Sequence, residues 1–517
     1  MPTIILILFL TFLNFGSALA IEDIEKLQSA IETTKDTAEL GQLYKKKGDY
    51  YVSQNDYKKA ADAYVHALSL ARSGFSLEER IQIAIYLSWG ERLQEATDEL
   101  LLIVSEDPAN TKARVHLART LSWSGKLNEA LKEADTVLKE SPDNRDALLI
   151  KANILRWKGD SKRAIDLYKK LLEKGEDFDT RLGLSYAYLS LGNVKAAKEG
   201  EKVLKPAYPY QESELKNFVA EINSITRPNV EMRYSYYHDS DDNRLNRYML
   251  SYGFWTYNWR SYLNYRHTDA TGKIEGDTHR KRCEDLSLGT YSKVSGPLGI
   301  GGGLGMSMLG NGETSTFLTG HIMANVNVFN GMMGVRVSRE VFAETAELIE
   351  NRIRIINPSL FASQNLLDDL AIHFSYNYRD YSDNNHSHDV QLSPRYTVRF
   401  KNPRLEVGYR FRYFDFNRQS RSGYFDPDDY TSHQIFTYLY YEKGGFFSYM
   451  EPFIGYESFK RYGDSKDGVI GGGYGTCGYK LRKNISFEIN GEGGDYSGGT
   501  AGGWKYYLIG FRIFVIL

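Results

Sequence analysis

The chain has 517 residues, too many for one hydrophobic core, so about two to four folding units are expected. Its 64 Lys and Arg stand against 66 Asp and Glu, and a net charge of −2 gives no reason to expect a nucleic-acid partner. After residue 20 nothing approaches the ~18–20 apolar residues of a spanning helix, which excludes a bundle of membrane helices. The 39 Tyr and 46 Gly are spread unevenly. Residues 1–227 hold 11 of each, and residues 228–517 hold 28 Tyr and 35 Gly. Two materials meet near Pro228.

Ile4 to Leu13 are almost unbroken apolar, and Ala18-Leu19-Ala20 has the small-x-small form of a cleavage site. The pattern predicts a secretory signal peptide over residues 1–20, although Met1-Pro2-Thr3 carries no Lys or Arg. No Cys follows the site, so a lipid anchor is not expected. Only Cys283 and Cys477 occur, in separate strand candidates, and two unlinked thiols are expected.

Over residues 21–227 a small residue recurs at Ala60, Ala96, Ala130, Ala164 and Ala197, each time preceded by a turn such as Asn55-Asp56 or Gly125-Lys126. Gly48 and Tyr51 join Ala60 in the first unit, Ala118 precedes Ala130, and Ala152 precedes Ala164. A period near 34 residues means a stacked pair of antiparallel helices per unit, with small residues where helices cross closely. These positions resemble the tetratricopeptide repeat, over about five units spanning 41–211, with mild departures at Lys47 and Gln82. Gln211 to Ile225 is amphipathic and is expected to cap the stack. The resemblance implies a surface that holds a partner protein.

Beyond Pro228 the period falls to two. Leu370, Ile372, Phe374, Tyr376 and Tyr378 alternate with Ala371, His373, Ser375, Asn377 and Arg379. Leu405, Val407, Tyr409, Phe411 and Tyr413 alternate with Glu406, Gly408, Arg410 and Arg412. Segments of about ten residues with one apolar and one polar face predict transmembrane β-strands, and about sixteen can be drawn. Every second connection is tight, as at Asn330-Gly331 and Lys401-Asn402-Pro403. The others read as longer polar loops, among them His238–Asn246, Thr268–Arg282, Ser382–His388 and Asn417–Asp429. The predicted fold is therefore an N-terminal all-α solenoid, residues 21–227, followed by an antiparallel transmembrane barrel, residues 228–517. An even strand number puts both barrel ends on the short-turn side, so the solenoid is expected in the periplasm and the barrel in the outer membrane, in contact with its lipid.

The segment Gly423-Tyr424-Phe425-Asp426-Pro427-Asp428-Asp429-Tyr430 and the run from Ser497 to Tyr507 resemble the YaiO-type outer-membrane barrel family. More distantly, the order of signal, repeats and barrel is similar to the export porins of the cellulose and poly-N-acetylglucosamine systems. The terminal strand Tyr507–Leu517 resembles a barrel-assembly signal, with Leu517 where Phe is usual. The likeness implies passage of a glycan through the lumen while the repeats engage periplasmic partners.

Strand alternation predicts lumen-facing, glycan-contacting residues at Arg260, Arg266, Arg336, Arg379, Arg395, Arg399, Arg410, Arg412, Trp504 and Tyr506. Arg233, Tyr262, Arg352, Arg354 and Arg512 are assigned to the same face, with only Glu231, Glu340 and Glu406 as inward acids. The barrel segment holds 32 Lys and Arg against 32 Asp and Glu, so the remaining acids are expected mostly in loops, and the bore is expected either to be basic or to have its arginines paired with glutamates that brace the wall. No catalytic residue, metal site or cofactor is predicted, since the usual hydrolase, phosphate-loop and metal spacings are missing. His386, His388 and His433, read as lying in or beside loops near Asp383 and Asp389, are the one cluster that would suit an outer-membrane hydrolase, and a solvated loop is the preferred reading. The expected function is export or assembly of a surface polysaccharide. The alternative is a structural or receptor protein with a closed barrel.

Overall fold

The computed structural model describes residues 24–517 apart from 257, 296, 311–313, 329, 421, 483 and 496–504. The expected signal peptide and Trp504 lie outside the described residues. The chain forms two compact units, one ending at Ile154 and the other running from Leu155 to Leu517.

The first unit is built of helices α1 (Thr37–Ser53), α2 (Tyr57–Ala71), α3 (Leu77–Trp89), α4 (Leu93–Glu106), α5 (Thr111–Trp123) and α6 (Leu127–Glu140), with α7 (Arg145–Trp157) crossing its boundary. Asp36, Asp56 and Asn110 cap helix starts with their side chains, and Ser76 forms a reciprocal capping box with Glu79. Asn55, Glu91 and Gly125 hold positive φ at the turn within a helix pair, each five residues before the recurring alanine, and Gly159 and Gly192 repeat this further on. One left-handed residue per unit reverses the chain. The alanines then let the helices close up: Ala60, Ala96, Ala118 and Ala130 are fully buried. A Cβ on Gly48 would lie 2.5 Å from the Tyr64 ring, so the ring takes the space a side chain would need. Tyr51 packs half-buried beside it. A core of Ile81, Leu100, Ile103, Leu117, Val137 and Ile154 continues the stack.

In the second unit α8 (Ser161–Glu173), α9 (Phe178–Ser190) and α10 (Val194–Val203) repeat the pattern, with Ala164 and Ala197 buried, as Ala152 of α7 is in the first unit. The expected cap is α11 (Pro209–Thr226), which buries Phe218 and Ile222. Sixteen strands follow: β1 (Asn229–Asp239), β2 (Arg244–Thr256), β3 (Trp259–Ile274), β4 (Asp277–Ser295), β5 (Leu298–Gly310), β6 (Ser315–Val328), β7 (Gly331–Val341) and β8 (Arg354–Asn365). The second eight are β9 (Leu370–Tyr381), β10 (Asn385–Arg399), β11 (Arg404–Phe416), β12 (Asp428–Lys443), β13 (Phe446–Arg461), β14 (Asp464–Arg482), β15 (Ile485–Asp495) and β16 (Lys505–Ile516).

Each strand pairs antiparallel with its sequence neighbours, and β1 pairs with β16 from Asn229↔Ile516 to Asp239↔Tyr506, closing the barrel. Closure leaves no unpaired edge, the condition for a sheet to sit in hydrocarbon. Outward residues form an apolar belt, with Leu250, Leu263, Leu286, Leu304, Leu318, Ile322, Val335, Leu360, Ile435, Ile454, Val469 and Ile489 exposed. A belt of this extent is a lipid-facing surface rather than scattered exposure, so the fold is that of a transmembrane barrel and fits the outer membrane. No described helix is long and apolar enough to cross a membrane.

The loops differ from expectation. Thr268–Arg282 is mostly β3 and β4, joined by a two-residue turn in which Glu275 and Gly276 both hold positive φ. The His238–Asn246 and Ser382–His388 connections likewise shrink to residues 240–243 and 382–384. Strand pairing simply extends beyond the belt, where polar residues pair as well as apolar ones. The described residues of 417–427 do form a loop, and residues 342–353 form another that alternation did not reveal.

Candidate functional site: the barrel lumen

Alternation carries the predicted arginines to the inner wall, where they meet carboxylates. Arg412 grips Asp389 with two bonds of 2.9 Å, and Arg379 reaches the same carboxylate at 3.1 Å. Arg266 donates to Asp285 at 2.9 Å. Arg395 and Arg410 share Glu451, and both guanidinium groups lie over the Phe436 ring at 4.7 and 4.8 Å. Arg512 joins Glu231 and Glu488, each at 2.8 Å, and Arg233 also reaches Glu231. The expectation of a basic bore with its acids out in the loops is therefore corrected. Asp285, Asp389, Glu451 and Glu488 are strand residues facing inward, and they cancel the charge of the arginines opposite. Their positions were readable once β4, β10, β13 and β15 were assigned, because a one-residue slip exchanges the faces. Asp389 directly follows the Ser382–His388 stretch that the sequence alone reads as a loop.

Other predicted residues separate. Arg336 has no ion-pair partner among the described residues. It lines a recess of about 320 Å³ with Asn264, Ser287, Thr319, His321 and Ser338. Arg260 lies over the Tyr262 ring and donates to Ser224 O of α11 at 3.4 Å. Arg399 does not line the lumen. A register shift after Thr397 pairs it with Leu405, and it sits exposed at the short-turn rim. Arg352 lies in the 342–353 loop with φ 52, outside any strand, and Arg354 starts β8 with its guanidinium over the Phe317 ring at 4.8 Å. Tyr506 faces inward and donates to Glu492 at 2.5 Å.

The two long loops fold inward and pack together at the mouth opposite the short turns. The 342–353 loop carries a one-turn helix, α12 (Ala346–Glu350), capped by Thr345, whose hydroxyl accepts from Leu348 N at 3.1 Å. Ala346 and Ile349 pack on Leu245, Ala270, Cys283 and Leu309, on the inner faces of β2 to β5. Arg247 ties the same loop to the wall through Ala343 O and Glu344, and Lys281 pairs with Glu350. Leu348 joins an aromatic cluster with Phe342, Tyr381, Phe414, Phe416, Tyr424, Phe425, Tyr430 and Phe459. Tyr424 and Phe425 belong to the 417–427 loop, which is pinned by the buried Asp426 accepting from Arg461 Nε at 3.0 Å. The loops touch where Asn351 Nδ2 donates to Ser422 O at 3.2 Å and where Gly423, at φ 94, lies against Glu347. The Gly423–Tyr430 stretch that carries the family likeness is thus part of a plug.

The histidines do not form a catalytic group. His386, His388 and His433 sit in β10 and β12, not in loops. They face outward among Tyr376, Tyr378, Tyr409 and Phe411, with Tyr376 bonded to His388 at 2.9 Å. Asp389, next in sequence to His388, points to the other face. Asp415, Asp428 and Asp429 bring carboxylates within 4.8 Å of one another at the β11–β12 rim. They are part-exposed or exposed, as acidic clusters without an ion commonly are. Cys283 and Cys477 are both free.

Tetratricopeptide repeat family models match residues 91–154 and 41–73. No curated protein matches the chain. Among solved structures, one described as a bacterial polysaccharide outer membrane secretin aligns at 11% identity over 57% of this chain and 99% of that one, with a TM-score of 0.46. A tetratricopeptide repeat protein from Parabacteroides merdae aligns at 18% identity over 36% of this chain and 72% of that one, TM-score 0.28. A thermophilic one from Thermus thermophilus aligns at 16% over 35% and 98%, TM-score 0.30. The fold defines a class: tetratricopeptide repeats joined in one chain to a closed sixteen-strand barrel.

Proposed function

We propose that the protein is a porin-like component of surface polysaccharide export or assembly, with the barrel in the outer membrane and the repeats, residues 21–227, docking a partner protein in the periplasm. The observation that carries this reading is the combination of a polar, charge-compensated inner wall behind a mouth plug with a helical-repeat scaffold in the same chain. A wall on which most charges are paired internally, Arg336 and Glu492 apart, binds permeant ions weakly over most of its length, which suits the passage of a bulky polar chain. The likeness of the domain order to exopolysaccharide porins supplies the substrate class. Deleting the gene tests it: the reading expects surface polysaccharide to fall and to return with the intact chain, and unchanged surface polysaccharide refutes it.

One observation favours a second reading. The plug contacts the wall from β1 round to β13, as a barrel with a permanently closed lumen, acting as a receptor or scaffold, would require. Conductance in planar bilayers separates the two. A barrel that stays sealed after both mouth loops, residues 344–351 and 418–426, are removed sinks the export reading.

A further inference from the structure

The lumen wall carries a second set of aromatic residues, of which Tyr237 at its end packs against the plug cluster. Tyr438 faces inward on β12, Tyr449 on β13 and Tyr474 on β14, with ring centroids 6.2 Å apart across the first step and 5.4 Å across the second. Tyr474 pairs across strands with Glu492 of β15. Glu492 in turn accepts from Tyr506 of β16, and the Tyr506 ring stacks on Tyr237 of β1 at 5.8 Å. The positions climb. Tyr438 and Tyr449 lie a few residues from the β12–β13 turn, Tyr474 is midway along β14, and Tyr506 and Tyr237 are at the opposite rim. They form a diagonal line along the inner wall from the short-turn end to the long-loop end. Tyr474 and Glu492 are exposed to the lumen, and the other phenols are half-exposed.

We infer that this line, Tyr438, Tyr449, Tyr474 and Tyr506 with Glu492, is a binding track for neutral hexopyranose units. The inference rests on the polysaccharide reading above. The apolar face of a pyranose packs on a tyrosine ring while its hydroxyls bond the phenol and carboxylate oxygens. Charge decides against an acidic sugar. The cations beside the track are held, Arg395 and Arg410 by Glu451, Arg512 by Glu231 and Glu488, and Lys480 by Glu442. Glu492 has no cationic partner among the described residues. An anionic chain would meet an unshielded carboxylate and no free guanidinium there.

The test is saturation-transfer NMR on the full chain in a sugar-free detergent, with cellohexaose as the neutral probe and a hexagalacturonate as the anionic one. Contact is expected with cellohexaose and not with the uronate. The double variant Tyr449→Ala/Tyr474→Ala should weaken cellohexaose on the order of tenfold or more. Glu492→Gln should keep cellohexaose and admit the uronate. Equal binding by the tyrosine variant, preference for the uronate in the wild type, or no binding of either probe overturns the track. Heat-modifiable migration on gels verifies that each variant barrel is folded. Surface polysaccharide in the deletion strain reads the parent proposal separately. If it is lost on deletion yet normal in the tyrosine variant, only the track falls. If it is unaffected by deletion, the parent reading falls whatever the probes do.

Discussion

Replacing Tyr424 should unlatch the plug. Its ring stacks on Tyr381 at 4.7 Å and on Phe416 at 5.5 Å, and only 2% of the residue is exposed. Its hydroxyl donates to Asp383 Oδ2 at 2.8 Å and accepts from Asn385 Nδ2 at 3.0 Å. Truncating a buried aromatic to Ala costs roughly 3–5 kcal/mol. Asp383 keeps a bond from Ser422 and Asn385 keeps Arg418 O, so the polar loss adds little. A penalty of about 4 kcal/mol raises the open fraction of the 417–427 loop by roughly a thousandfold. Tyr424→Phe retains the stacking and should cost only about 1 kcal/mol. The assay is single-channel conductance of the purified full chain in planar bilayers. Tyr424→Ala should give frequent or larger openings, Tyr424→Phe near-native traces. Identical traces from the wild type, Tyr424→Ala and a chain lacking residues 344–351 would refute the claim that these loops are the barrier.

Two predictions concern the repeats. Glu99 is 1% exposed and holds Arg80 Nε at 2.5 Å and Arg72 Nε at 2.9 Å. Glu99→Ala leaves the buried Arg80 with only Glu106, and should lower the stability of the first unit by about 3–5 kcal/mol, read as an earlier loss of helical ellipticity on heating. His116 on α5 has its pKa lowered from 6.5 to about 4, chiefly by burial and secondarily by Arg119. The unfolded chain therefore takes up a proton that the folded chain refuses. Stability is intact above pH 6.5 and is lost as pH falls from there to about 4, by up to about 2 kcal/mol once solvent screening is allowed for. The same melt at pH 7 and pH 5 should show a drop in the wild type that His116→Gln reduces; an equal drop in both would refute it.

Periodicity made the repeats and strands legible because each is a local property. Ala60 to Ala197 recur wherever two helices cross, and Leu405 to Tyr413 alternate wherever a wall divides two solvents. The charge state of the lumen was not local. Whether Arg412 is free depends on Asp389, 23 residues away and one strand over, and Asp389 follows directly on a polar run, 382–388, that by itself reads as a loop. The plug was illegible for a related reason. Phe342, Leu348, Tyr424 and Phe425 are apolar residues in irregular segments, and nothing in their spacing says that they fold back into the bore rather than out to solvent. Arg399 failed through one bulge, since a single extra residue turns a side chain to the other face.

The same strands serve both ends of the barrel. Leu245, Ala270, Cys283 and Leu309 of β2 to β5 hold α12 at the mouth. At the short-turn rim Trp255 of β2 packs on the α9–α11 core, Arg260 of β3 reaches α11, and Lys293 of β4 donates to Ser190 O at the end of α9. Gly192 makes that last approach possible, since a Cβ there would lie 2.8 Å from Lys293 Cβ. This arrangement invites the view that movement of the repeats pulls on the plug. The sheet argues against it. Every strand is bonded to a neighbour on each side, and a closed ladder resists the sliding of one strand past its neighbours. A signal from Lys293 would have to tilt β4 together with β3 and β5. Lys293→Ala should therefore loosen helices 161–226, read as faster proteolysis there, while conductance stays at the wild-type level. Conductance that rises with Lys293→Ala, in a chain whose plug residues are untouched, would mean that the wall bends as a unit and that a partner on the repeats can open the mouth.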